Sequence, residues 1–468
     1  MNRAHGRAIA GGVLGLLAIG LAVPAVVAAH QLNPTYTSRL PLAVYLAGAA
    51  TTVALSFIFV LVRDVRADRP VLTDRGRLPP APLRIALRAI GLIGWAWIIA
   101  QGIAGGASSA EVTTLFLWVY GWVGVAMVSA FIGPVWHYID PFSTLYDIGA
   151  WVVGRLGVSP WELAHYPERY GRWPAVVGFA AVIWLELVLA PGPSVLFVIL
   201  VGYTTLTLAM MAQFGRDAWR SHAEIFMVWF RLLGRLAPYA LVDETGRVRR
   251  RPFASGLLEP GWRMSDVVMI ALGVGSILFD GLSQTQIWYD TFGLPTLPAE
   301  TLLLAVFLGI IVAAAIAVTR VVGVSATGAG LLPIAVGYLV AHYLTYLLID
   351  GQRILIAVSD PLQRGSDLFG TGFFEPSGAW LPPGLVWTSQ LAAVVGGHML
   401  GAWGGHVVAS LEAPRQLVGR ALTLRQVPLA VVMVALTTLT LWSLGQAIVV
   451  TPQQPASTAT QAVATSRG

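Results

Sequence analysis

The sequence predicts an all-α fold, a polytopic transmembrane helix bundle of about eleven spans, and three observations carry the prediction. Hydrophobic residues make up 56% of the 468 and charged residues only 11%, a balance that would precipitate a water-exposed globule. Apolar stretches long enough to cross a ~30 Å hydrocarbon core as helices of ~20 residues recur along nearly the whole chain. Arginine is one-sided: if the N-terminus is inside, 25 of the 29 fall in segments on the cytoplasmic side, leaving only Arg39, Arg353, Arg364 and Arg467 outside. Arginine-rich short loops stay cytoplasmic, so the asymmetry supports the spans and their orientation together.

The spans fall near 8–29, 41–62, 89–107, 112–133, 174–191, 194–214, 264–284, 300–320, 330–350, 385–409 and 427–450. The first is read two ways. Arg3 and Arg7 precede an apolar run closing on Ala28 and Ala29, so 1–29 is either an uncleaved anchor or a signal peptide, which would leave ten spans. Cleavage after Ala29 would make His30 the mature N-terminus, where amine and imidazole form a chelate suited to copper; uncleaved, His30 sits at the outer interface. Residues 30–450 form a single membrane domain, and the polar tail 451–468 faces out. Pro191, Gly192 and Pro193 predict a tight outer hairpin between the fifth and sixth spans.

The cytoplasmic loop 215–263 contains a predicted interfacial helix. Ile225, Val228, Trp229, Leu232, Leu233 and Leu236 recur at helical spacing, with Glu224, Arg231 and Arg235 opposite. Arg247, Arg249, Arg250 and Arg251 would add attraction to anionic lipid at the cytoplasmic face. Residues 351–384 are too long for a bare connection, and Phe369, Phe373, Phe374 and Trp380 predict a folded outer cap. Asp140-Pro141 and Asp360-Pro361, each with a second aspartate seven residues on, both read as an N-cap and first-turn proline starting a short helix.

Ionisable groups at membrane depth are the strongest functional lead, because hydrocarbon penalises an unpaired charge. Glu186, His342 and His398 are placed at one level near the midplane, as a polar site. Asp280, Tyr346, Asp350 and Arg353 continue it toward the outer face, with His342, Tyr346, Asp350 and Arg353 making one helical stripe. Gly397, Gly401 and Gly405 form overlapping GxxxG steps that put His398 beside a helix contact. Three readings of the polar groups stay open: a proton or ion pathway, structural polar packing, and a divalent metal or haem site using His342 and His398, with His30 as a further metal candidate.

The absence of cysteine excludes disulfides and thiolate metal sites. No P-loop, zincin, nucleophile-elbow or dinucleotide signature stands in a usable context, which argues against an enzyme. The basicity is topological, which argues against nucleic acid as a partner. Ala29-His30-Gln31-Leu32, Leu40-Pro41-Leu42, Phe279-Asp280-Gly281-Leu282-Ser283 and Ser359-Asp360-Pro361-Leu362 together resemble a family of bacterial and archaeal polytopic membrane proteins. The resemblance implies an eleven- or twelve-helix architecture and supplies no activity or site residues. The expected function is a transporter or an ion- or proton-conducting permease of the cytoplasmic membrane; a metal- or haem-binding redox subunit and a non-catalytic assembly scaffold are the alternatives.

Overall fold

A computed structural model describes residues 75–104, 111–157, 163–413 and 420–444, with Gly48, Thr51 and Leu55 singly. In chain order the elements are α1 (Ala81–Ala104), α2 (Val112–Phe131), α3 (Pro141–Arg155), α4 (Trp173–Leu189), α5 (Pro193–Phe214), α6 (Arg216–His222), α7 (Ile225–Leu233), β1 (Tyr239–Leu241) and β2 (Val248–Arg250). There follow α8 (Met264–Ser283), α9 (Gln286–Phe292), α10 (Leu297–Val322), α11 (Val324–Asp350), α12 (Ile354–Ser359), α13 (Pro383–Glu412) and α14 (Arg420–Leu444). Among the described residues eight helices are long and apolar enough to cross a membrane, α11 continuing through α12 as one of them. With the shorter apolar helix α4 they match the expected spans from 89–107 onward. Spans 8–29 and 41–62, His30 and the tail 451–468 lie outside the described residues, apart from the three single positions. The chain is a multi-pass integral membrane protein.

Burial sorts the helices. Every residue of α8 from Ser265 to Phe279 is buried, so α8 is the central post. On α1, by contrast, Ile85, Ile93 and Ile103 are exposed, as are Leu302, Val306 and Ile310 on α10: apolar faces suited to lipid. The α11–α13 seam is backbone on backbone. A Cβ added at Gly397 would stand 2.6 Å from the Pro333 carbonyl oxygen, and one at Gly337 2.5 Å from that of Ala393, so only glycine permits the approach. Between α4 and α5 the expected hairpin is present: Ala190 is left-handed (φ 39°) and Pro193 opens α5.

Contacts between loops separate the two sides of the bundle. On one side Arg77 bridges Val248 by two backbone hydrogen bonds, Tyr138 donates to the Gly246 carbonyl (2.6 Å), and Arg172 pairs with Asp266 (2.8 Å). On the other, Trp97 and Gln101 donate to the Pro361 carbonyl, and Trp184 donates to Thr301. The first group belongs to the arginine-rich segments and the second to the arginine-poor ones.

Two expectations are corrected. The helix at 225–233 does not lie in a lipid interface: it is buried on nearly all sides, with Trp229 against Phe179 (4.7 Å between rings) and Phe230 against Trp136 (5.4 Å). Phe226, Met227 and Phe230 make its supposed polar face apolar, and a helix apolar all round belongs in a core. The nearby arginines are largely paired, Arg247 with Asp243, and Arg249 and Arg251 with Glu259. Secondly, Asp140 caps α3 as expected, accepting from Phe142 and Ser143, but Asp360-Pro361 starts no helix. Asp360 accepts from Arg364 N and Gly365 N (both 2.8 Å) and folds a turn instead. These bonds, with those to Ser359, order part of the 351–384 segment, while Phe369, Phe373 and Trp380 are exposed. The arginine-rich side also carries a two-stranded antiparallel hairpin, β1–β2, turning at Asp243–Gly246, where Gly246 takes φ 91°.

Candidate functional site

The site grows from Asp280, three residues from the C-terminal end of α8. Its Oδ2 lies 2.8 Å from His342 Nε2 and accepts from the Tyr343 hydroxyl (3.2 Å); Oδ1 accepts from Gln284 Nε2 (2.6 Å), one turn along α8. The Asp280 and His342 side chains are 18% and 19% exposed, so the pair sits at a partly open point of an apolar bundle. Ser443 of α14 closes the wall: its Oγ is 3.3 Å from where a Cβ on Gly281 would stand, and His342 Cε1 is 3.9 Å from the same point.

Glu186 faces this pair from α4. It lies in a π-helical turn, Leu185–Leu189, takes a hydrogen bond from Trp122, and is within electrostatic reach of Asp280; its Oε2 is buried with no hydrogen-bond partner. Trp122 itself belongs to a π-helical stretch, Leu115–Val125 in the middle of α2. π-turns interrupt the regular helical ladder and recur at functional sites. Here two of them hold Trp122 and Glu186. Further out, Tyr346 lies within electrostatic reach of Asp350 and Arg353, which pair at 3.1 Å.

The structure therefore brings Glu186, Asp280 and His342 together and keeps His398 apart. His398 is fully buried, with Nδ1 bonded to the Val394 carbonyl of its own helix (2.7 Å) and Nε2 3.5 Å from the Tyr338 hydroxyl. The expected common level does not hold. At 1.5 Å per residue from the N-terminus of α11 and the C-terminus of α13, His342 stands ~27 Å and His398 ~21 Å along their helices. The reason is that α11 begins at Val324, six residues earlier than the sequence reading placed it. Among the described residues no three His, Asp or Glu side chains are grouped to hold a metal ion, and both imidazoles are committed to protein partners. Sequence reasoning missed Tyr343, because a stripe drawn through 342, 346 and 350 passes over the adjacent position; Asp280 sits between the two directions that His342 and Tyr343 point.

A second buried polar cluster lies on the arginine-rich side. Arg220 Nε is 3.4 Å from Asp140 Oδ2, and Arg220 Nη2 donates to the His137 carbonyl (3.2 Å). Burial first, then Arg220 and the arginines at 231, 216 and 88, push His137 down to about 2, so it is neutral. Glu224 caps α7 and accepts from Phe226 N, Met227 N, Tyr203 and Trp136. Burial, and then the Asp140 carboxylate, push Glu224 up to about 7. A carboxyl raised in the native state stabilises it fully below its ordinary value of 4.5, and that contribution is lost as pH rises toward 7. Glu224→Gln should accordingly flatten the pH dependence of thermal stability across this window; an unchanged slope would mean that Glu224 stays ionised throughout.

No protein-family model, curated protein or solved structure matches the chain. Function is therefore argued from the geometry alone.

Proposed function

We propose that this protein is a permease of the cytoplasmic membrane that passes a small ion or solute through the polar cluster in the outer half of its bundle. The observation that carries the reading is the Asp280–His342 pair, two ionisable groups from different helices joined at 2.8 Å inside an otherwise apolar wall. Intramembrane charges are costly and are retained where they serve a pathway. In this reading Glu186, Asp280 and His342 form the site, and Tyr346, Asp350 and Arg353 lead to the outer mouth. The arginine-rich loops face the cytoplasm, where anionic lipid would hold them, and the C-terminal tail is outside. Function as an assembly scaffold without transport is the competitor, favoured by His398, which satisfies itself on its own helix.

Purified protein in liposomes under imposed ion gradients separates the two. Wild-type protein should show flux that Asp280→Asn reduces about tenfold or more, since a barrier change of ~1.4 kcal/mol suffices. Flux indistinguishable between the two proteins, or absent from wild type under every gradient, would favour the scaffold.

A further inference from the structure

We infer that the species taken up at this site is a proton, carried on the Glu186 carboxyl. The inference deepens the permease reading and rests on it only for where the proton goes, since binding can be observed without transport.

The argument is one of partners. Glu186 is faced by Trp122 of α2, by Asp280 of α8, and by Tyr343 and Tyr346 of α11, with His342 on the Asp280 carboxylate. From α10 the nearest ionisable residue in sequence to the packing contact Trp184–Thr301 is Glu300. Only His342 among these can carry positive charge, and its Nε2 already holds Asp280. Among the described residues Glu186 thus has a second carboxylate for a neighbour, no cation of its own, one donor in Trp122, and a buried Oε2 with nothing to accept from. An ionised carboxylate so placed bears its desolvation cost uncompensated. A proton on Oε2 removes the charge and turns the orphan acceptor into a donor.

A metal cation answers the same vacancy poorly. It needs several oxygen ligands, and the Asp280 oxygens are occupied by Gln284, His342 and Tyr343. When the proton leaves, the Glu186 O–H bond breaks and the Asp280–His342 pair is the adjacent acceptor. The imidazole gains an N–H on the nitrogen turned away from Asp280 and becomes imidazolium, held by that carboxylate.

Infrared spectroscopy of the protein in lipid nanodiscs tests this directly. A carbonyl stretch of a protonated carboxylic acid should be present at neutral pH, vanish in Glu186→Gln and move in Asp280→Asn. An apolar carbodiimide, which adds to protonated buried carboxyls, should label wild-type protein at Glu186, read by peptide mass; this arm needs no variant to fold. A missing Glu186-dependent band together with no carbodiimide adduct overturns the proposal. Liposomes holding a pH-sensitive dye, under a potassium diffusion potential, supply the transport arm. Proton entry should slow about tenfold or more in Glu186→Gln. Wild-type rates in that variant would overturn the proton assignment and leave a permease for another solute. A Glu186-dependent band without any proton flux would instead keep the binding site and overturn the permease.

Discussion

Arg220→Met should cost about 3–5 kcal/mol of stability, enough to deplete folded protein from the membrane, because it strands a buried carboxylate. Arg220 and Asp140 are 2% and 1% exposed, and the guanidinium is the cation that reaches Asp140 by ion pair. Methionine keeps an apolar stem but removes the guanidinium with its volume, so lost charge is separated from lost volume by the double variant. Asp140 would retain Phe142 N, Ser143 N and the Ser143 hydroxyl, which suit an anion but do not neutralise it. The double variant Arg220→Met/Asp140→Asn should recover part of the loss, since a neutral amide needs no counter-charge. Thermal unfolding in detergent supplies the measurement; two single variants whose losses simply add would show that the pair is not coupled.

Gly397→Leu should be strongly damaging, at about 3 kcal/mol or more, the upper end for overpacking. Its Cβ alone would meet the Pro333 carbonyl oxygen at 2.6 Å and Gly337 Cα at 3.2 Å, both backbone atoms that cannot swing aside. The whole of α11 would have to move from α13, carrying Tyr338 from His398 and shifting His342 on the same helix. Gly396 is the internal control. A Cβ there meets nothing within 4 Å, so Gly396→Leu should change stability by a few tenths of a kcal/mol. Similar melting temperatures for the two variants would contradict the close seam.

Arginine siding was readable from the sequence because it depends on counts over loops, which errors of a few residues in helix bounds do not disturb. The glycine seam was readable for a similar reason, since i, i+4 spacing survives any shift of the helix start. Depth did not survive such a shift. Six residues added to the start of α11 moved His342 outward, away from His398 and into register with Asp280. The pairing of Asp280 with His342 joins positions 62 residues apart, and no local pattern encodes which faces of two helices meet. Helix α7 was misread because its apolar stripe was followed without weighing Phe226, Met227 and Phe230 on the opposite side. Glu186 was found by its depth alone; what makes it distinctive, a π-turn and an unpartnered oxygen, exists only in three dimensions.

The central claim is that the Glu186–Asp280–His342 cluster opens to the outer side through the bundle. The chain has no native cysteine, so a single one reports without background. Ser443→Cys places a thiol on α14 beside Gly281 and His342, at a position only 9% exposed. Thiolate is the reactive form and needs water to form. A membrane-impermeant maleimide applied from outside should therefore label this cysteine in intact cells, while the same reagent applied to the exterior of inverted vesicles, which is the cytoplasmic face, should not. Labelling from the outer face alone is the predicted result; labelling from neither face, with the denatured protein fully reactive, would contradict an outward pathway.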